Sequence, residues 1–179
     1  MISKILLILA AILVILAVVI AIQPDDLRVS RSATMAAAPA AVFEQVNDFH
    51  KWEAWSPWAK LDPNSKVTYE GPASGTGAIF KWSGNNEVGE GQQTITESKP
   101  GELVRIKLDF IKPFPGTSET TFTFKPEGAG TAVTWTMTGK RNFIMKAMGL
   151  VMNCDQMMGG FFEKGLASIK SIVETAPKA

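Results

Sequence analysis

PAAVFEQVNDFHKWEAWSPW, residues 39–58, holds three of the protein's five tryptophans, Trp52, Trp55 and Trp58, set three residues apart and interleaved with proline and charge. Pro39 suits the first position of a helix, where its missing N–H breaks no bond and its φ is already helical. Val42, Phe43 and Val46 recur on one side of that helix and predict a buried stripe. The helix is expected to stop near Asn47-Asp48, and Phe49 to Trp58 to continue as a bent segment closed by Ser56-Pro57. An aromatic cluster this dense needs a broad apolar surface to lie against, which the rest of the chain has to supply.

Downstream, residues 66–140 alternate short segments with turn chemistry. The predicted strands are Lys66 to Glu70, Ala78 to Ser83, Glu90 to Ser98, Leu103 to Phe110, Ser118 to Lys125 and Thr131 to Gly139. Between them lie Gly71-Pro72, Gly84-Asn85-Asn86, Lys99-Pro100-Gly101, Pro113-Phe114-Pro115-Gly116 and Gly128-Ala129-Gly130. Connections this short imply antiparallel neighbours, because a parallel pair needs a crossover of about a dozen residues or more. Within the strands Phe80 and Trp82 share a face, as do Val104, Ile106, Leu108 and Phe110, then Phe122 and Phe124, then Val133, Trp135 and Met137. Lys107, Asp109, Thr121, Thr123, Thr134 and Thr136 occupy the other. One face of the sheet is thus expected to be buried and the other wet.

Upstream, Leu27 to Met35 alternates Leu27, Val29, Arg31, Ala33 and Met35 against Arg28, Ser30, Ser32 and Thr34, and predicts a first strand, the seventh in all. Near the C-terminus, Met157, Met158, Phe161, Phe162, Leu166, Ile169, Ile172 and Val173 recur at helical spacing from about Asp155 to Glu174, with Asn153 or Asp155 placed to cap the start. Gly159, Gly160 and Gly165 inside this helix cost about 1 kcal/mol each relative to alanine, so close approach to a neighbour is expected there. Phe143 to Met152 predicts a shorter helix leading into it.

Ile5 to Ile22 is an unbroken run of eighteen apolar residues, about 27 Å long as a helix against a hydrocarbon core of roughly 30 Å. Fourteen are Leu, Ile or Val, each favouring insertion by roughly 0.3 to 0.6 kcal/mol near the bilayer centre. A cleaved signal peptide is the competing reading, but its apolar core usually runs about 7 to 15 residues before a small-residue site. Ala21-Ile22-Gln23-Pro24 makes a poor one. The expected organisation is therefore a transmembrane anchor and linker at 1–26, with Gln23 to Asp26 as linker, and one α+β domain at 27–179. Lys4 on one flank against Arg28 and Arg31 on the other leaves orientation open on charge alone. A short N-terminal anchor commonly exports the domain attached to it, so the domain is placed on the non-cytoplasmic side of a single-pass membrane protein.

Removing Lys4 leaves 17 basic against 17 acidic side chains beyond the apolar run, and no basic run of five occurs. That balance argues against a nucleic-acid binder, whose affinity comes largely from neutralised phosphates. The single His50 excludes a multi-histidine metal site, and the single Cys154 cannot form an internal disulfide. Gly71, Gly75 and Gly77 make neither a dinucleotide fingerprint nor a phosphate loop, and no cofactor is expected.

Pro39-Ala40-Ala41-Val42-Phe43, Val46-Asn47-Asp48-Phe49, Trp52, Trp55-Ser56-Pro57-Trp58, Gly75-Thr76-Gly77-Ala78, Lys81-Trp82-Ser83-Gly84-Asn85 and Phe161 with Glu163-Lys164-Gly165-Leu166 together resemble the polyketide cyclase and dehydrase-like branch of the START/Bet v1-like (SRPBCC) superfamily. The likeness runs from about Val29 to Val173. It implies a helix-grip fold, in which a seven-stranded antiparallel sheet curves around a long C-terminal helix and leaves a cavity between them. Members of such a family bind lipids, sterols, polyketides or other apolar molecules, and a minority catalyse reactions there.

Candidate cavity residues on this reading are Trp52, Trp55, Trp58, Phe80, Trp82, Phe110, Phe122, Phe124, Trp135, Met137, Met157 and Phe161. For any single strand or helix residue among them solid core is the safer reading, and the tryptophan segment could be either a cavity lining or a packed cap. Arg105 points away from the face of Ile106 and reads as a solvated side chain. Cys154, without a general base, reads as packing; Glu70 and Glu97 as ordinary strand carboxylates. His50 is the one group whose ordinary pKa suits proton transfer near neutrality. No catalytic residue is assigned. The leading expectation is a membrane-anchored binding domain for a small hydrophobic or amphipathic ligand, the membrane being engaged through Ile5 to Ile22. The alternatives are a cyclase or dehydratase-like enzyme acting on a hydrophobic substrate, and a protein-interaction module of the cell envelope.

Overall fold

Alternation of apolar and polar residues places each strand correctly to within two residues, and the seven strands form one antiparallel sheet. The computed structural model describes residues 2–175; Met1 and residues 176–179 of the two expected units lie outside them. In chain order the elements are α1 (Ile2–Ala21), β1 (Asp26–Met35), α2 (Pro39–Asn47), a single 3-10 turn (Phe49–Lys51), α3 (Trp52–Trp55), β2 (Lys66–Glu70), β3 (Ile79–Ser83), β4 (Glu90–Lys99), β5 (Leu103–Lys112), β6 (Gly116–Glu127), β7 (Gly130–Lys140), α4 (Phe143–Gly149) and α5 (Cys154–Thr175). The strand order is β1-β7-β6-β5-β4-β3-β2, so consecutive strands from β2 to β7 are neighbours and β1 closes the far edge against β7.

The core lies between the inner face of this sheet and the layer made by α2, α3 and α5. Val29, Met35, Ile95, Val104, Ile106, Phe122, Phe124, Val133 and Trp135 come from the strands, Val42, Phe43 and Val46 from α2, and Phe162, Leu166 and Ile169 from α5. The outer face carries most of the threonines and charges, as a sheet covered on one side requires. Phe143 to Met152 differs from expectation. Helix α4 stops at Gly149, and residues 150–152 lead irregularly to Asn153, whose Oδ1 accepts from the N–H of Gln156 at 3.0 Å and so caps α5. Asp155, the other candidate cap, turns to Arg31 instead.

Helix α5 is fastened to β1 at both ends. In its N-terminal half the Arg31 Nε donates to Glu163 at 2.7 Å and its Nη2 to Asp155 at 2.9 Å. At its end the Lys170 ammonium donates to the Thr34 carbonyl at 2.6 Å, and Glu174 accepts from the Ala36 N–H at 2.7 Å. Two of the three helix glycines follow from this docking. A Cβ at Gly159 would collide with the Arg31 guanidinium, and one at Gly165 would lie 2.8 Å from the ring of Trp135. No atom of the described residues lies within 4 Å of the corresponding point at Gly160. Gly160→Ala should therefore raise stability by up to about 1 kcal/mol, the helix-propensity gain, whereas Gly165→Ala should lower it because a rigid ring has to move. Denaturant midpoints of the full chain in detergent check this; equal gains at both positions would contradict the packing.

Candidate functional site

Cross-strand register arranges the inner face in rows. Starting from the end of the sheet where α1 joins β1, the first row runs Val67, Trp82, Gly91, Phe110 and the next Tyr69, Phe80, Gln93, Leu108. Ile95, Ile106, Thr120, Met137 and Val29 follow, then Val104, Phe122, Trp135 and Arg31, then Phe124, Val133 and Ala33. Burial increases along this direction. Phe122, Phe124, Trp135 and Met137 are buried, while Phe80, Trp82 and Phe110 are half-buried and Val67 and Tyr69 exposed. The end of the inner face beside α1 is thus the open end.

The tryptophan segment divides along the same line. Three-residue spacing puts the indoles of Trp52 and Trp55 side by side, their ring centroids 4.6 Å apart. Both are buried, and both point at the end of α2. The Nε1 of Trp52 donates to the Val46 carbonyl at 3.0 Å and that of Trp55 to the Gln45 carbonyl at 2.9 Å. These are among the last carbonyls of α2, which have no partner inside the helix, so the two indoles serve as its C-terminal cap. Trp58 is different. It is half-buried and stacks on Phe161 of α5 with centroids 5.4 Å apart and planes at 26°. Met157, one helical turn before Phe161, is exposed.

The segment carrying Trp58 is pinned by Asp62, a buried carboxylate that the aromatic pattern conceals. Its Oδ2 accepts from the Asn85 N–H at 2.7 Å in the β3–β4 turn, and its Oδ1 from the Asn64 N–H at 2.9 Å. The deep end of the face is a stack of rings, with Trp135 lying 4.2 Å from Phe162 at 6° and 4.7 Å from Phe122. The Nε1 of Trp82 donates to the Val88 carbonyl at 3.1 Å. That of Trp135 is buried with no acceptor among the described residues, an orphan donor inside an aromatic wall.

Among the described residues, ionisable groups reach this face at Tyr69 and at Arg31. Tyr69, in the second row, packs against Phe80 and stacks on His50 at 4.1 Å. Partial burial, then the carboxylates of Glu53 and Asp48, push its hydroxyl above the ordinary value. Arg31 reaches the face in the Trp135 row and is consumed by its hydrogen bonds to Asp155 and Glu163. Alternation already put Arg31 on the apolar side of β1, and that placement was the signal that it must be paired.

Hydrogen bonding from Arg31 lowers the Asp155 carboxyl, and the Ala36 N–H followed by Lys170 lowers that of Glu174. A carboxylate depressed in the folded state contributes stability above its unfolded value, about 3.9 for Asp and 4.3 for Glu, and loses it as pH falls through the folded value. Docking of α5 should therefore weaken below about pH 4. An Arg31→Met chain should show a smaller loss over the same window, read as the shift in denaturant midpoint between pH 6 and pH 3; an unchanged acid response would contradict the pairing.

The remaining candidates lie elsewhere. Arg105 is on the outer face, 3.2 Å from Glu97 and 3.5 Å from Glu119. Glu97 is lowered by its bond from Lys99, and Glu70 pairs with Lys81 at 2.6 Å. His50 Nδ1 lies 2.9 Å from Asp48 at the protein surface, and Cys154 is half-buried in the first turn of α5. An open groove of about 740 Å3 crosses the outer face between Glu97, Arg105, Lys107, Glu119 and Lys140, and a notch of about 460 Å3 lies beside residues 149–155 with Arg28 and Arg141.

Structural neighbours share this architecture. Protein CV1439 from Chromobacterium violaceum superimposes with a TM-score of 0.59 at 17% identity, covering 85% of this chain and 99% of its own. The Aha1 protein of Colwellia psychrerythraea, solved as a dimer, gives 0.61 at 15% identity over 85% and 99%. The di-domain ARO/CYC StfQ of the steffimycin biosynthetic pathway gives 0.64 at 12% identity, over 84% of this chain and 51% of that one. At such identities these likenesses establish the helix-grip fold alone. No curated protein matches the sequence. Residues 26–174 match the model of one family, and by that match the chain belongs to the polyketide cyclase / dehydrase and lipid transport family.

Proposed function

We propose that this protein is a membrane-anchored carrier of a small hydrophobic or amphipathic molecule, held against the inner face of the sheet. The observation that carries the reading is the gradient of cover along that face, from sealed rings at Trp135 and Phe122 to half-buried Phe80, Trp82 and Phe110 at the open end. The Trp58–Phe161 stack is the less covered part of the wall, since Trp58 is half-buried on a loop and an exposed methionine lies beside its partner. Parting it would admit a ligand towards Trp135, whose free indole N–H would receive a carbonyl, hydroxyl or ether oxygen. Donating to such an acceptor would relieve a buried polar group that otherwise costs about 1–3 kcal/mol. Helix α1 is long and apolar enough to cross a bilayer and nearly all exposed, which suits a lipid-embedded segment and would hold the open end where apolar molecules partition. The domain then faces the non-cytoplasmic side.

Binding is tested by titrating an environment-sensitive apolar dye into the full chain in nanodiscs; saturable uptake that a fatty acid or polyketide displaces is expected, and uptake no greater than by empty nanodiscs would overturn the reading. Orientation is tested with an impermeant thiol reagent on Cys154, which should label in intact cells under conditions where a cytoplasmic thiol does not. A second reading, cyclase or dehydratase chemistry, draws on the family description and on Tyr69, a hydroxyl-bearing ring packed on Phe80 beside the half-buried face. It requires a substrate whose turnover Tyr69→Phe abolishes while dye uptake is retained.

A further inference from the structure

The end of the domain where α1 joins the sheet presents apolar side chains that the fold leaves uncovered. Phe143, Ile144 and Met148 of α4 and Leu150, Val151 and Met152 after it are all exposed, Val151 at 85%. Ile111 and Phe114, at the β5–β6 connection, are exposed as well. Register puts that connection at the same end of the sheet, because Phe110 pairs with Gly116, Ser118 with Gly139, and Lys140 with Asp26. Two segments distant in sequence thus leave apolar residues uncovered around the point where α1 departs. Exposed apolar patches of this kind are typical of protein–protein or membrane contact sites.

Helix α4 is also tied to the level at which α1 ends. Lys146, almost wholly buried, donates to the Ala21 carbonyl at 3.2 Å and pairs with Asp25. Ile20 is the one buried residue of α1, in the last turn, where α1 meets α4. A span of about 27 Å has no length to spare across a hydrocarbon core of roughly 30 Å. Ala21 therefore sits at the hydrocarbon boundary, and Lys146 fixes α4 at the same depth. Asp25 and Asp26 are neutralised by Lys146 and Lys140. Arg28 and Arg141, which line the neighbouring notch, have no carboxylate within ion-pair distance among the described residues, and the Nε of Arg141 is buried without a partner.

We propose that residues 143–152, together with Ile111 and Phe114, form a second, non-spanning membrane contact seated in the headgroup and acyl boundary of the bilayer that α1 crosses, with Arg28 and Arg141 facing lipid phosphates. Interfacial segments bind in this way, through buried apolar area plus attraction of basic residues to anionic lipid. The inference rests on the anchor reading of α1. Its consequence is that the open end of the inner face is held against the membrane, so that a ligand passes between bilayer and protein without crossing water.

The full chain carrying Cys154→Ala is reconstituted in vesicles of phosphatidylcholine and phosphatidylglycerol, some with brominated acyl chains. Single cysteines introduced at positions 13, 114, 144, 151 and 129 carry a fluorescent label, position 129 being in the β6–β7 turn at the opposite end of the sheet. Quenching at 114, 144 and 151 is expected to be several-fold greater than at 129, with blue-shifted emission, and to fall when phosphatidylglycerol is omitted. Quenching at 13 with 114, 144 and 151 no different from 129 overturns the inference and leaves the anchor standing. No quenching at 13 overturns the anchor reading and the inference with it. Labels at 144 and 151 that are shielded from aqueous iodide but untouched by bromine point to a protein occupant and also overturn it.

Discussion

Trp135→Ala is expected to cost the domain about 3 to 5 kcal/mol, the range for truncating a large aromatic residue in a core that cannot close over the gap. Trp135 is 2% exposed and lies between Phe162, Phe122, Trp55 and Trp58. It also sets the approach of α5, since Gly165 rides directly over its ring. Removing it empties the contact of β7 with α5, α3 and the Trp58 loop at once, and side chains from three elements would have to move together to fill the void. With most domains stable by only about 5 to 15 kcal/mol, much of the margin is lost. Equilibrium denaturation of the full chain in detergent measures the effect. A loss below about 1 kcal/mol would show that Trp135 borders an already empty space rather than a packed stack.

Trp58→Ala should do the opposite, lowering apolar-dye affinity by about tenfold or more while costing less stability than Trp55→Ala. An aromatic face withdrawn from a ligand removes area burial and about 0.5–1.5 kcal/mol of ring contact, and 1.4 kcal/mol is a factor of ten in affinity. The two residues differ by three positions in sequence and by their structural obligations. Trp55 is 2% exposed and caps α2 through the Gln45 carbonyl, so its truncation leaves a cavity and an orphan acceptor. Trp58 leans on Phe161 from a loop held by Asp62. Equal stability losses in the two variants with unchanged dye affinity in Trp58→Ala would make Trp58 ordinary core.

Strand positions and the choice of buried face were legible because the sheet is wet on one side, so a period of two survives from Val104 to Leu108 and from Thr131 to Met137. The docking of α5 was legible in outline, through its apolar stripe and through glycines that promised a close neighbour. Which neighbour was not, because Arg31 meets Gly159 and Asp155 across more than a hundred residues. Within the tryptophan segment, equal spacing concealed unequal roles. Trp52 and Trp55 are fixed by the end of α2, a partner that periodicity does not reveal. Asp62 escaped notice because its oxygens serve backbone N–H groups, including one in a distant turn, which no side-chain pattern records. The exposed apolar residues of 143–152 read as an ordinary helix lead-in, since only their place beside the end of α1 makes their exposure informative.

Native mass spectrometry of the full chain released from nanodiscs reads out directly whether the domain carries a ligand. A bound ligand gives a population heavier than the bare chain by one small molecule, which organic solvent extracts and which is diminished in Trp58→Ala. A single mass equal to that of the bare chain, unchanged after incubation with fatty acids, sterols and polyketides, would contradict the carrier reading.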